Sequence, residues 1–286
     1  MVKTIRNYLS LVKFSHTVFA LPFAVIGFFL AYRQTPQNVD VWLFVLVVLC
    51  MVFARNAAMS FNRLVDRRFD AINPRTQNRE IPRGIITSRA TAVFVTVNVL
   101  LFIATTYFIN RTVFFLSPIA LAIVLLYSYT KRFTMFCHFV LGLGLALAPI
   151  GAYLSVTPRF ELLPLLYSVI VLFWVSGFDI MYALQDEDFD KRENLKSLPA
   201  ALGVKKSLLV ANLLHFVAGA VVVLIGILYH SDVWYWVGAA LFIALLIYQH
   251  LIVKPTDISR VNMAFATTNG LASIIYATFN VISIFF

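Results

Sequence analysis

The chain has 286 residues, of which 61% are apolar, 15% aromatic and 13% charged, and its 23 basic and 13 acidic residues leave a net charge of +10. Soluble domains carry about 45–50% apolar and about 25% charged residues, so this composition excludes a single water-soluble globule, and a mean hydropathy of +0.86 excludes disorder. What the charge means depends on where along the chain it falls.

A helix crossing the ~30 Å hydrocarbon core needs about 20 mostly apolar residues. Nine stretches qualify in chain order: 12–33, 41–62, 90–109, 112–130, 136–156, 162–184, 207–229, 233–252 and 263–285. They use most of the chain and no Pro/Ser/Gly-rich linker separates them. The expectation is therefore an all-α, polytopic membrane bundle of nine transmembrane helices, forming a single domain over residues 1–286. The opening MVKTIRNYLSLVKF has the basic start of a signal peptide, but the apolar run after it is of spanning length and lacks a small-residue cleavage site, so it reads as a retained first helix. Cytoplasmic segments of membrane proteins are enriched in Lys and Arg. Placing the N-terminus inside puts 19 of the 23 basic residues on that side, and leaves only Arg33, Arg111 and Arg159 on the other, with Arg55 inside a helix. The expected topology is N-in, C-out. Cys50 and Cys137 both fall within spans and match neither a zinc pattern nor a disulfide framework.

Acids near a bilayer are costly and commonly functional. Asp66, Asp70 and Glu80 follow the second span, and Asp186, Glu187, Asp188, Asp190 and Glu193 follow the sixth, so eight of the 13 acids occupy two short segments of the basic side. Asn62, Asp66 and Asp70 recur every four residues and share one helical face, as do Tyr182, Asp186 and Asp190. Arg55 and Asp179 lie nearly in line with the two series. The ladders are followed by loosely parallel text, REIPRGIITSRATA and LKSLPAALGVKKSLLV, which suits a weak internal repeat that sets two half-sites facing one another. Oxygen-only carboxylate ladders suit Mg²⁺, which bridges a few carboxylates to phosphate groups. Nearby Arg63, Arg67, Arg75, Lys131 and Arg132 suit phosphate oxygens. The implied ligand is a diphosphate at the membrane surface with an apolar tail. Individually, Glu187, Asp188 and Glu193 read as solvated partners of neighbouring bases, and His16, His138, His215 and His250 as packing or interfacial residues. Arg55 and Asp179 either pair with each other or serve the site.

RNAAMSFNRLVDRRFDAINPRTQNREIPRG (55–84) resembles the first signature of the UbiA superfamily of membrane prenyltransferases, GFDIMYALQDEDFDKRENLKSLPAALG (177–203) resembles the second, and YSYTKRFT (127–134) is similar to the loop between spans four and five. The resemblance runs from the first span to the ninth and is nearest to the bacterial 4-hydroxybenzoate polyprenyltransferase-like branch. It implies helices around a central cavity in the inner membrane, with the site on the cytoplasmic side. It also implies transfer of a polyprenyl group from polyprenyl diphosphate to an aromatic acid acceptor in quinone biosynthesis, 4-hydroxybenzoate being favoured and a dihydroxynaphthoate of menaquinone synthesis the alternative. By the same resemblance, Asn62, Asp66, Asp70, Asp186 and Asp190 hold Mg²⁺ and the diphosphate, the four aspartates being catalytic. Lys131, Arg132 and Tyr182 grip or orient the diphosphate end, and Arg55 serves the diphosphate or the acceptor. Two departures stand out: Asn62-Arg63 where many relatives have Asn-Asp, and VKFSH (12–16) at the start of the first span, which leaves Lys13 and His16 without a matching role.

A secondary transporter is the rival from another class, but transporter sites usually sit near the midplane in broken helices, whereas these charges cluster at one edge. A phosphatidyltransferase would carry an Asp-Gly-x-x-Ala-Arg run, and none is present. The net positive charge follows from topology and a diphosphate grip, and no nucleic-acid partner is expected.

Overall fold

In lipid, backbone N–H and C=O groups must be satisfied within the protein, which drives long apolar runs into helices. The computed structural model describes residues 2–12, 19–35 and 40–286. Among them the regular elements are helical, and the one strand-like pairing is an isolated bridge between Lys254 and Asp257. In chain order the helices are α1 (Val2–Leu11), α2 (Leu21–Gln34), α3 (Val41–Val65), α4 (Arg67–Ile72), α5 (Ser88–Ile109), α6 (Arg111–Thr130), α7 (Cys137–Val156), α8 (Leu162–Ala183), α9 (Glu187–Arg192), α10 (Leu198–Leu228), α11 (Val233–Ile252) and α12 (Asn269–Phe285).

Eight segments are long and apolar enough to cross a membrane, and they correspond to the second through ninth expected stretches. The first stretch is represented by α2, an apolar helix of 14 residues, with residues 13–18 outside the described ones. Among the described residues eight of the nine expected spans are therefore present at spanning length, and the first is not. The stretch expected at 207–229 begins earlier. Ser197 caps α10, accepting from the Ala200 amide at 3.3 Å, with Pro199 in the first turn, and Gly203 at φ 76° interrupts the helix before it continues. Gly84, at the matching place after the first ladder, also has positive φ, 69°.

The chain groups into two compact units. One holds α1, α3, α4, α5 and α6. Within it α3 packs along α5, where Asn56 Nδ2 donates to Asn98 Oδ1 at 3.2 Å and Asn98 Nδ2 donates to the Phe94 carbonyl, a polar clasp of the kind that joins helices in lipid. Much of the remaining surface of α5 and α6 is exposed apolar side chain, such as Leu100, Phe108 and Phe115, as lipid contact requires.

The other unit holds α2 and α7 through α12. Its centre is aromatic: Trp174, Phe23, Phe242 and Tyr276 are fully buried and pack together with ring centroids 4.9–6.4 Å apart. Trp174 Nε1 and Gln249 Nε2 both donate to Asn269 Oδ1 at 2.8 Å. Asn269 Nδ2 in turn donates to the Ala264 and Phe265 carbonyls, acceptors in the π-helical turn Met263–Thr268 that precedes α12. Close approach of α2 to α7 depends on Gly27, because a Cβ there would lie 2.1 Å from the Pro149 carbonyl oxygen.

Candidate active site

The first ladder lies where α3 gives way to α4. Asp66 occupies the bend between them, yet its amide bonds to the Asn62 carbonyl at 2.9 Å and the Asp70 amide to the Asp66 carbonyl at 2.8 Å, so the four-residue register continues through the bend. Asn62 Nδ2 donates to Asp66 Oδ2 at 3.2 Å, and the other polar atom of its amide, the oxygen, is an acceptor. Asp66 and Asp70 are 3% and 5% exposed. Asp70 Oδ1 accepts from Arg79 at 2.7 Å, whereas Asp70 Oδ2 is buried with no hydrogen-bond partner. Thr76 closes the turn beneath it by donating to the Asp70 carbonyl. Arg63, one residue after Asn62, is also buried, and its Nε likewise lacks a partner. Buried polar atoms are normally paired, so an orphan carboxylate oxygen and an orphan guanidinium nitrogen on neighbouring turns suit a cation and an anion respectively. Arg67 instead turns back to the Leu64 carbonyl at 2.8 Å, as a base at a helix C-terminus does. Arg55, half-buried in α3, donates to the Val12 carbonyl at 3.1 Å.

The second ladder follows the same plan in its own unit. Tyr182 ends α8 and stacks on Phe265 with centroids 4.1 Å apart, Asp186 closes a single 3₁₀ turn, and Asp190 lies in α9. Asp190 is buried; its Oδ2 accepts from Ser197 Oγ at 2.7 Å and its carbonyl accepts from the Leu195 amide at 2.8 Å. The Lys131 carbonyl accepts from the Lys196 amide at 2.6 Å, tying the loop after α6 to the loop after α9. Asp190 accordingly sits in the field of Lys131, His138 and Asp186. Arg132 is exposed on the same loop. Below Tyr182, Phe19, Phe178 and Phe265 form an aromatic triad with centroids 5.3–5.4 Å apart. Glu187 pairs with Lys191 at 2.6 Å, the solvated i,i+4 contact expected of it.

Among the described residues no group of three or more His, Cys, Asp or Glu side chains is gathered to hold a metal by itself. The donors present are oxygens, two carboxylates per ladder with an amide on the first, which is the sparse set that Mg²⁺ uses when waters and substrate phosphates complete its shell.

The sequence profile of the UbiA prenyltransferase family matches residues 20–273, across both units. The chain belongs to the UbiA prenyltransferase family. Among curated relatives of this UbiA chain, the 4-hydroxybenzoate octaprenyltransferase of Aliivibrio fischeri (strain MJ11) is 28% identical over 232 residues, 81% of this chain and 80% of that one. That of Vesicomyosocius okutanii is 27% identical over 248 residues, 87% and 89% of the two chains. Among solved structures, the apo UbiA homologue from Aeropyrum pernix K1 aligns with TM-score 0.84 and 29% identity, covering 93% of this chain and 97% of that one. A UbiA homologue from Archaeoglobus fulgidus bound to GPP and Mg²⁺ shares the fold, with TM-score 0.74 and 21% identity over 98% and 100%.

Asp179 does have a buried partner in this UbiA fold, but it is His138: Nδ1 lies 2.7 Å from Asp179 Oδ2, while Nε2 accepts from the Leu198 amide. That amide contact fixes the proton of the neutral ring on Nδ1, so His138 donates to the carboxylate. His215 and His250 are mutually satisfied, 2.9 Å apart. Lys13 and His16 lie outside the described residues. Reading the sequence missed Arg79, Thr76 and Ser197, the residues that fix Asp70 and Asp190. A basic or hydroxyl residue six to nine positions after each aspartate was the available signal, but nothing local distinguished these from their neighbours.

Proposed function

We propose that this chain transfers a polyprenyl group from polyprenyl diphosphate to an aromatic acid, 4-hydroxybenzoate being the favoured acceptor, in a Mg²⁺-dependent step of quinone biosynthesis. The observation that carries the reading is the pair of aspartate ladders, each ending a span, with the buried oxygen of Asp70 unpartnered. The names of the curated relatives support the acceptor and the octaprenyl class of donor. The Archaeoglobus structures with GPP or DMAPP and Mg²⁺ support the diphosphate and the metal. We take residues 1–286 to act as one domain, N-in and C-out in the bacterial inner membrane, with the site on the cytoplasmic side where the bases concentrate.

Asn62, Asp66 and Asp70 from one ladder and Asp186 and Asp190 from the other would hold the metal with the diphosphate. The chemistry supplied by Mg²⁺ when bound is Lewis-acid neutralisation of the diphosphate charge. Arg79 and Ser197 keep Asp70 and Asp190 in place. Lys131 and Arg132 bind the diphosphate oxygens, as does Arg63 through its unpaired Nε, and Arg55 serves the diphosphate or the carboxylate of the acceptor. Together these groups favour heterolysis of the allylic C–O bond, whose electron pair leaves on the diphosphate. Tyr182 and the aromatic triad of Phe19, Phe178 and Phe265 offer π faces to the allylic cation and keep water from it. A ring carbon of the acceptor forms the new C–C bond and then loses its proton.

The test is product analysis. Purified protein given polyprenyl diphosphate, Mg²⁺ and equal amounts of 4-hydroxybenzoate and a dihydroxynaphthoate should yield the prenylated hydroxybenzoate by mass spectrometry. Prenylated naphthoate alone would refute the acceptor while keeping the reaction, and no prenylated product would refute both.

A further inference from the structure

The N-terminal part of α10 and the C-terminal end of α11 lie side by side, because consecutive antiparallel spans begin and end on the same membrane face. Between them is an open cleft of about 460 Å³, with Lys205 and Lys206 on one wall, Leu209 and Asn212 continuing it, and His250, Val253 and Pro255 opposite. Its size is that of a small-ligand site. Its lining is divided between the two exposed ammonium groups of Lys205 and Lys206 and the apolar side chains of Leu208, Leu209 and Val253. Leu209 is 72% exposed, on the surface that lipid covers.

Among the described residues neither lysine has an acidic partner. Glu187, which approaches Gly203 one turn earlier, is engaged with Lys191, and Asp257 in the loop after α11 accepts from the Ser259 amide at 2.9 Å. The two charges are therefore uncompensated at the head-group level, where basic residues attract anionic lipids. The opposite wall adds an acceptor. His215 Nε2 faces the Trp174 carbonyl, which can only accept, so the proton of neutral His215 is on Nε2 and its Nδ1 accepts from His250 Nε2–H. This leaves Nδ1 of His250 as a lone-pair acceptor, matched to a hydroxyl donor and mismatched to a bare anion.

We propose that this cleft is a binding site for an anionic phospholipid, whose phosphodiester lies against Lys205 and Lys206 while its acyl chains run down over Leu209. The site is distinct from both aspartate ladders, and its chemistry is that of a phosphodiester joined to a hydroxylated head group and an apolar tail.

The test uses the full chain in detergent with three additives: phosphatidylglycerol, phosphatidylcholine or free glycerol 3-phosphate. Phosphatidylglycerol should raise the thermal midpoint of the wild type by about 2–4 °C over phosphatidylcholine, and native mass spectrometry should show one retained molecule per chain. Lys205→Gln/Lys206→Gln should lose both effects, whereas Arg83→Gln/Arg89→Gln, which removes two exposed charges before and at the start of α5, should keep them. Equal stabilisation of Lys205→Gln/Lys206→Gln, or equal loss in the control pair, would overturn the proposal in favour of diffuse charge. The same shift with glycerol 3-phosphate would overturn it in favour of a free-phosphate site. Because Lys205 and Lys206 are exposed, each single Gln variant should still fold, and retention of the lipid by both singles and the double would equally refute the site.

Discussion

Asp70 is held by one oxygen and open at the other, and that asymmetry makes it informative. Arg79→Ala removes the partner of Oδ1 and leaves a buried carboxylate, so stability should fall by about 1–3 kcal/mol, read as a lower thermal midpoint in detergent. Asp66→Asn and Asp190→Asn remove a charge from either ladder with little change in shape. Each should cut Mg²⁺-dependent prenyl transfer by about 10²-fold or more while expression is unchanged, and exposed Asp188→Asn should leave turnover intact. Unchanged turnover in both ladder variants would remove the basis of the site. The ladders themselves were legible because a four-residue period is local. The partners of the ladders were not: Arg79 is nine residues from Asp70, and His138 is 41 from Asp179. Only the packing of α7 on α8 decides that Asp179 meets His138 and not Arg55.

Helix contacts in the unit of α2 and α7 through α12 turn on small residues and buried amides. Gly27→Ala would drive a methyl group into the Pro149 carbonyl and force α2 away from α7, at a cost of about 1–3 kcal/mol. On α7 itself, the methyl group of Gly151→Ala meets nothing within 4 Å, and the variant should be neutral or slightly stabilising. Comparable melting of the two variants would contradict this packing. Asn269→Ala should be more damaging than either, because it strands the donors of Trp174 and Gln249 in a fully buried core. Span positions were readable from apolar length alone. The early start of α10 was not, because it depends on the Ser197 cap and Pro199 in a segment that is not apolar enough to count as a span. The π-helical turn before α12 was equally hidden, being set by where the side chain of Asn269 finds its carbonyls.

At the scale of the molecule, charge placement and family membership point the same way: an integral membrane prenyltransferase-family protein whose bases concentrate at one set of span ends. In a background with Cys50 and Cys137 replaced by Ser, a cysteine at Lys191 should react with a membrane-impermeant reagent only from the cytoplasmic side, and one at Arg159 only from the other. The reverse pattern would invert the topology. The reaction itself is tested most directly by giving the purified chain octaprenyl diphosphate, 4-hydroxybenzoate and Mg²⁺ and following the product by mass spectrometry. The expected product is an acid heavier by one octaprenyl group, formed with release of diphosphate and absent from Asp66→Asn. No such product from the wild-type chain, or the same yield from Asp66→Asn, would contradict it.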